Sequence, residues 1–439
     1  MGVAKHPSEG PRAVSQDRPR DAATVLLNLP GYRILDAQDD QDAPVGRWAL
    51  AEPVDPVGHC PDCGFDSARV HSRPVSVVAD VPVGGRLEVR VRKRRLWCDN
   101  DSCARVTFTQ TTDQLGLRAR LTTRLAARVV DALGAEARSV SGVVAEAGVS
   151  WPTGMRLVSA TVTAVHDPDR VAVRRLGVDE HRFRRIRFVK LADGPTVKID
   201  PWSIVFTDLD TGSVLDVVDG RRGTAVRWWL RQRPELWRAR IEIVAIDMSA
   251  EFRAAIRDVL PNAAITADHW HVATRSNHMV TQVRRRRSWD LLARRGRVVD
   301  PAWKYRTLLT CRQEHLSMAQ RSRLDQILGA DPELAVVWAV KEIVVQLLAT
   351  TTDSDFDTQW AHLETAALAT DLPEPAALFK TLKAWKAEIR VFCLTRVTNA
   401  KTEAANLNAK NIKRAGRGYV NHRNYRARIL LAATVKNAA

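Results

Sequence analysis

The sequence predicts a multidomain α+β protein: an N-terminal zinc-binding β unit, a helix-turn-helix, and a mixed sheet with flanking helices and an all-helical insertion. Three observations carry that reading. Two close cysteine pairs, HCPDCG and WCDNDSC, stand on either side of a stretch that alternates apolar and basic residues. Residues 172–283 alternate strand-like apolar runs with helical patterns, and residues 284–395 carry helical patterns only. At 439 residues the chain is too long for one ordinary core.

Composition narrows the partners. Hydrophobic residues make up 45% and charged residues 27%, as in globular proteins, and the formal net charge is +17. Such a surface calls for an anionic partner, and nucleic acid is the commonest. No apolar run has spanning length, and no basic amphipathic helix lies near either end, so a membrane partner is not expected. The first residues lack the apolar core of a signal peptide, which predicts a cytoplasmic, nucleoid-associated protein. In a reducing cytosol six cysteines are expected to be thiols or metal ligands.

Residues 1–21, polar and without periodicity, read as a disordered tail. Residues 22–115 form the predicted zinc domain. LLNLPGYRIL and RWAL read as strands leading to Cys60 and Cys63, spaced CxxC; Cys98 and Cys103 follow, spaced CxxxxC. Two such pairs supply four thiolates to a tetrahedral Zn2+, with Gly64 permitting the knuckle turn. His59 and His71 stand as substitutes for one cysteine. Four thiolates leave no open position, so the zinc is read as structural. It would hold Arg90, Arg92, Lys93, Arg94 and Arg95 in an array for phosphate contact; the alternative is a solvated charged face. Cys311 and Cys393 lie in apolar helical surroundings and read as small core residues.

Residues 116–170 switch to helical spacing. LTTRLAARVVDAL places Leu121, Leu125, Val129 and Ala132 on one face. Gly148 then separates two short helical patterns, Ser150 can cap the second, and Pro152 falls in its first turn. This outlines a helix-turn-helix whose second helix would present Thr153 and Arg156 to the major groove. Gly154 inside that helix speaks for an ordinary helical hairpin instead.

Residues 171–283 predict strands near 174–181, 202–208, 213–218, 241–247 and 263–267, with helices near 223–233, 249–259 and 270–283. Residues 284–395 read as the insertion, and 396–439 as a last helix and a basic tail. Within this frame three acids stand out. Asp179 sits in LGVDEHRF, Asp247 ends IEIVAIDMS, and Glu403 lies in NAKTEAANLNAKNIKR. Acids at strand ends of a basic protein suggest bound metal. Two Mg2+ or Mn2+ ions about 4 Å apart can activate a nucleophile and stabilise a leaving oxygen at a phosphodiester. For each acid singly the bland alternative is a cap, a salt bridge or a wet position. Alternation puts Asp179 on one face with Gly177 and His181, and Glu180 on the other. Asn399, Glu403, Asn406 and Lys410 share one helix face. In TADHWHV, Asp268 and His271 could bind metal, orient a carboxylate or contact DNA; equally, Asp268 could be an N-cap with His271 packed beneath.

These residues together resemble the bacterial insertion-sequence transposases of the L-three family. HCPDCG and WCDNDSC match its zinc motif, LGVDEHRF and VAIDMSAEFRAAI its first two acid motifs, ADHWHVA its Asp-x-x-His segment, and the block from Thr398 its third acid. The resemblance implies an RNase H-like catalytic core with Asp179, Asp247 and Glu403 as its triad, supported by Asp268, His271 and Asn406. It implies a DNA transposase that binds double-stranded terminal inverted repeats and target as a homo-oligomer, cleaving and joining strands. The alternative is a non-catalytic DNA-binding protein derived from a transposase. One departure concerns the third acid. The family has Gly-Arg shortly before it and Gly after, where this chain has Ala400-Lys401 and Ala404.

Overall fold

The computed structural model describes residues 21–40 and 45–438, so of the tail expected over residues 1–21 all but Asp21 lies outside the described residues. The chain divides into two compact units, residues 1–158 and 159–439.

The first unit opens with a helix, α1 (Ala22–Leu27), where LLNL reads as strand. Asp21 caps it, its carboxylate accepting the Thr24 N–H at 2.8 Å, and Asn28 ends it in the left-handed region. The strands β1 (Tyr32–Asp39), β2 (Arg47–Pro53), β3 (Gly58–His59), β4 (Asp66–Ser67), β5 (Val70–Ser72), β6 (Val75–Val78), β7 (Glu88–Arg92), β8 (Arg95–Trp97) and β9 (Thr107–Thr109) follow. β1-β2-β7-β6 form one sheet and β5-β8-β9 a second. The alternating stretch between the cysteine pairs is therefore two strands. Val89 and Val91 of β7 point into the first sheet's core, and Leu96 of β8 into a small core with Cys60 and Phe108.

Three helices close the unit: α2 (Thr123–Gly134), α3 (Val140–Ala147) and α4 (Trp151–Val165), the last continuing past residue 158. Leu125, Val129 and Ala132 are buried, as their spacing predicts. Gly148 takes φ +66° at the turn, and Ser150 Oγ accepts the Thr153 N–H at 3.3 Å. Gly154 has a packing role: a methyl there would lie 2.5 Å from Val144 Cγ1. The glycine costs helix propensity of about 1 kcal/mol and lets α4 press against α3.

The second unit carries β10 (Arg175–Arg182), β11 (Arg187–Lys190), β12 (Thr196–Ile199), β13 (Trp202–Asp208) and β14 (Val214–Asp219). Next come α5 (Gly223–Arg231), α6 (Glu235–Ala239), β15 (Ile243–Ile246), α7 (Ala250–Val259), β16 (Ala264–Ala267) and α8 (His269–Leu292). The sheet order is β14-β13-β10-β15-β16, with β13 antiparallel to β10, β14 antiparallel to β13, and β15 and β16 parallel. The central β10 is buried at Leu176 and Val178 because it has neighbours on both sides. The helices α9 (Pro301–Lys304), α10 (Arg306–Thr310), α11 (Met318–Ala330), α12 (Pro332–Ala349), α13 (Asp353–Leu368), α14 (Pro373–Lys383) and α15 (Lys386–Thr395) fill the stretch predicted to be all-helical. α16 (Ala400–Ala415) and α17 (His422–Ala438) complete the unit. One apolar cluster runs without a break from Val173 through the sheet and helices to Cys393. Trp229 lies inside it, stacked on Phe206 at 3.8 Å, while Trp228 is exposed.

The structure departs from expectation in three further places. Residues 422–438, read as a basic tail, form a helix that buries Tyr425, Leu430 and Leu431. α8 runs nine residues beyond its expected end, through an arginine run. Cys393 is buried as expected, but Cys311 is exposed and is not a core residue.

Candidate active site and cysteine cluster

Register brings the first two acids together. β10 and β15 run parallel with Val178 opposite Ile246, so Asp179 and Asp247 come next on strands about 4.8 Å apart. Asp179 Oδ1 accepts the Glu180 N–H at 2.7 Å, and Oδ2 accepts Asn406 Nδ2 at 2.6 Å. His271 Nε2 lies 2.9 Å from Asp247 Oδ2. Asp247 Oδ1 is buried and has no hydrogen-bond partner among the described residues. Glu180, the neighbour that sequence alone confuses with Asp179, is already paired with Arg221 at 2.8 Å.

The third acid arrives on α16. Gly177 makes the approach possible, because a methyl there would overlap Thr402 Oγ1 and stand 2.7 Å from Leu209 Cδ2. Asn399 donates from Nδ2 to Val178 O at 3.3 Å and fixes the start of the helix on β10. Glu403 lies in the first turn of α16, exposed, with no hydrogen bond or ion pair from its carboxylate to a described residue. The replacement of the family's glycines and arginine by Ala400, Lys401 and Ala404 leaves the helix intact.

Electrostatics mark the acids as a group. Burial pushes Asp179 up to about 6, and the charge of Asp247 adds to the shift. Burial, then Asp268 and Asp247, raise Glu403. The hydrogen bond to Asp247 raises His271. None of the three acids forms an ion pair with Lys or Arg among the described residues. The three carboxylates, with the orphaned Oδ1 of Asp247 among their oxygens, are of the chemistry that could hold a hard cation. The set is open: among the described residues, the cysteines alone form a group of three or more such ligands with all donor atoms within 4.8 Å of one another.

Both alternatives for TADHWHV hold in part. Asp268 caps α8 by accepting the Trp270 N–H at 2.8 Å, and His271 touches the Asp247 carboxylate. Sequence reading gave no role to His181 or Tyr425. The buried His181 Nδ1 meets Asn406 Oδ1 at 2.8 Å, and its Nε2 meets Tyr425 Oη at 2.8 Å. Burial pulls His181 down to about 4, so it is neutral and acts as a fixed polar brace for Asn406. Its face-sharing with Asp179 was a signal for it; Tyr425 had none.

In the first unit, Cys60 Sγ and Cys103 Sγ are 4.0 Å apart, and Cys63 Sγ and Cys98 Sγ 3.6 Å. Tetrahedral Zn–S bonds of about 2.3 Å require sulfur separations of roughly 3.8 Å, which these distances bracket. Gly64, at φ +73°, donates its N–H to Cys60 O and forms the knuckle. The Phe65 N–H holds the Cys63 thiol down to about 7. His59 and His71 lie outside the ligand group.

The basic array is not uniform. Arg94 is 6% exposed, donates to Asp55 O at 2.6 Å and pairs with Glu52 at 3.5 Å. It is an internal tie, which corrects its expected phosphate contact. Arg90 lies over Trp48 at 4.5 Å and donates to Glu88. Arg92 and Lys93 are half-buried and Arg95 exposed. Lys93 and Arg95 line a groove of about 850 Å³ with Arg118 and Arg120. Arg156 is exposed on α4, and the Thr153 hydroxyl is 2.9 Å from Ser150 Oγ.

A four-cysteine cluster ahead of a mixed sheet that carries acids without Lys or Arg partners, in a chain of net charge +17, is the make-up of a nucleic-acid-acting class of protein. The chain belongs to the ISL3 family of transposases: residues 176–429 match that family's sequence model, described as transposase. Residues 56–103 match the zinc-finger of transposase IS204/IS1001/IS1096/IS1165, so the cysteine cluster is a structural zinc site. The chain is 26% identical over 397 residues to the transposase for insertion sequence element IS1001 of Bordetella parapertussis, covering 89% of this chain and 92% of that one. Among solved structures it is similar to the Drosophila P element transposase strand transfer complex, with 9% identity, a TM-score of 0.37, and coverage of 70% of this chain and 91% of that one. That likeness is too distant to bear on mechanism. No helix among the described residues is long and apolar enough to cross a membrane.

Proposed function

We propose that this DNA transposase cleaves and joins DNA with two divalent cations, Mg2+ or Mn2+, held by Asp179, Asp247 and Glu403. The observation that carries the proposal is the parallel register that sets Asp179 beside Asp247, both without a Lys or Arg partner. The sheet order, three antiparallel strands followed by two parallel ones, supports an RNase H-like core over 171–283 and 396–439, with 284–395 inserted. The ions would neutralise the scissile phosphate and stabilise the attacking and leaving oxygens. Asn406 and His271 are positioning residues: each bonds one carboxylate and aims its other oxygen. Glu403, without a hydrogen bond or ion pair to a described residue, would be the third ligand. Water attack then frees a 3′-OH, which attacks target DNA in a second in-line displacement.

The N-terminal modules would bind the terminal inverted repeats: the zinc domain over 22–115 and a helix-turn-helix over 116–170. Arg92, Lys93 and Arg95 would meet phosphates, and Arg156 with Thr153 the bases. A homo-oligomer would pair the two ends. Substituting Asp179, Asp247 and Glu403 together with Ala is expected to reduce cleavage of end-containing DNA to background and leave end binding within about twofold. Cleavage persisting in that variant with Mn2+ present would end the proposal. Affinity for end DNA is expected to fall about 10³-fold or more between 50 and 200 mM salt, for six or more phosphate contacts. A flat response in a filter-binding series would remove phosphate contact as the source of affinity.

A further inference from the structure

The helical region beyond the sheet holds a cavity of about 610 Å³ between the second half of α8 and the segment 295–310. Arg284, Arg285, Arg295, Arg306, Trp289 and Trp303 give it its chemistry. Arg284 is 6% exposed, and its guanidinium makes no hydrogen bond or ion pair with a described residue. Burial, then the charges of Arg285 and Arg306, pull it below the usual arginine value. A buried cation beside like charges is costly unless an anion completes it.

The next two arginines of α8 show the contrast. Arg286 pairs with Glu374 at 2.8 Å and Glu333 at 3.0 Å, and Arg287 pairs with Asp331 at 3.0 Å and Glu333 at 3.1 Å. Acidic partners serve that side of the helix and leave Arg284 and Arg285 without them.

The cavity also has a built aromatic wall. The Arg306 guanidinium lies 4.3 Å over the Trp303 ring. Gly296 fits flush against the same side chain, where a methyl would come within 2.9 Å of Trp303 Cδ1. Trp289 is 58% exposed and presents an indole to the opening.

We infer that this cavity binds an unpaired nucleotide, its phosphate on Arg284, Arg285 and Arg306 and its base against Trp289. The arginines supply the charge that a phosphate needs, and tryptophan and guanidinium planes supply the surfaces on which a base stacks. A paired base is excluded because its faces are covered within the duplex, so the nucleotide must be unstacked. Its source is a DNA strand or a free nucleoside triphosphate. The course of α8 favours the strand. His271, beside Asp247, and Trp289 lie on one face of the helix about five turns and 27 Å apart. Roughly eight nucleotides of B-form strand cover that length.

The test measures binding by the full-length protein without added divalent metal, so it stands apart from the proposed metal site. The probes are a fluorescein-labelled 12-nucleotide single strand, the matching duplex, a single strand carrying 2-aminopurine, and ATP. Trp289→Ala and Arg284→Met are each expected to weaken single-strand binding about tenfold and to relieve 2-aminopurine quenching. Duplex affinity should change less than twofold. The same losses measured with ATP in place of the single strand would support the site and assign its source to a free nucleotide. Unchanged affinity of Trp289→Ala for both the single strand and ATP, with native circular dichroism, would overturn the inference. Because Trp289 lies at the rim, that variant keeps the test sound if Arg284→Met fails to fold.

Discussion

Asp179→Asn is expected to raise the melting temperature of the metal-free protein at pH 7.5 while ending DNA cleavage. The carboxyl of Asp179 stands at about 6 in the folded chain against 3.8 for an ordinary aspartate, chiefly through burial. The folded state therefore binds this proton more tightly than the unfolded state. The stability that this gives is fully present below pH 3.8 and is lost as pH rises through about 6. Above that pH the ionised group costs about 3 kcal/mol. The amide removes that cost but forfeits one of the two hydrogen bonds at Asp179, worth about 1 kcal/mol. The net of about 2 kcal/mol corresponds to a gain of roughly 2–4 °C in a unit of this size. At pH 4.5 most of the gain should vanish, since the wild-type carboxyl is then largely protonated.

Metal gives the second arm of the same measurement. On the proposed function, Mg2+ or Mn2+ is expected to stabilise the wild type by mass action, and more at pH 7.5 than at pH 5 because protons would compete for the same oxygens. Asp179→Asn should lose most of that response. Differential scanning fluorimetry across pH 4.5–8, with and without metal, reads all four conditions. A variant melting below the wild type by the same margin at both pH values would make Asp179 an ordinary structural residue.

How much of this site can be read from sequence depends on how local each signal is. β10, β13, β14, β15 and β16 fall where apolar runs predict them, because strands buried on both faces leave continuous hydrophobic stretches. β11 and β12 give no such signal: all eight of their residues are exposed, so neither face carries a pattern. The arginine run at 284–287 looks like a break, yet α8 continues through it because acids distant in sequence neutralise Arg286 and Arg287. α17 opens with HRNYRAR, too polar to announce a buried helix, and only its packing against β14 and α16 makes Tyr425 a partner of His181. The same holds at the acids. Asp179 and Asp247 could be picked out by their strands, but the bond from Asn406 to Asp179 spans 227 residues. It exists because Gly177 lets α16 lie close, and no spacing rule anticipates that.

Removing zinc is expected to unfold the two segments around the cluster, residues 58–72 and 95–109, and leave the β1-β2-β7-β6 sheet and the second unit's sheet in place. The reason is the size of what remains. The fully buried apolar core at the cluster is Cys60, Leu96 and Phe108, and one of these is itself a ligand. Such a core cannot offset the conformational entropy of the loops on either side, at about 1–2 kcal/mol per residue. Structural zinc in small fingers contributes about 10–16 kcal/mol at neutral pH, so the metal decides whether the segments around the cluster fold. Hydrogen exchange reads the outcome directly. In the zinc-loaded protein the Trp97 N–H, bonded to Arg69 O, and the Cys98 N–H, bonded to Val106 O, should be protected. A chelator, or Cys63→Ser with Cys98→Ser, should bring both to unstructured rates while amides of β10 and β15 keep their protection. End binding should fall with them, because Arg95 on β8 and Lys93 just before it lose their frame. Protection at Trp97 and Cys98 that survives full zinc removal, verified by metal analysis, would show that the β5-β8-β9 sheet stands without the ion.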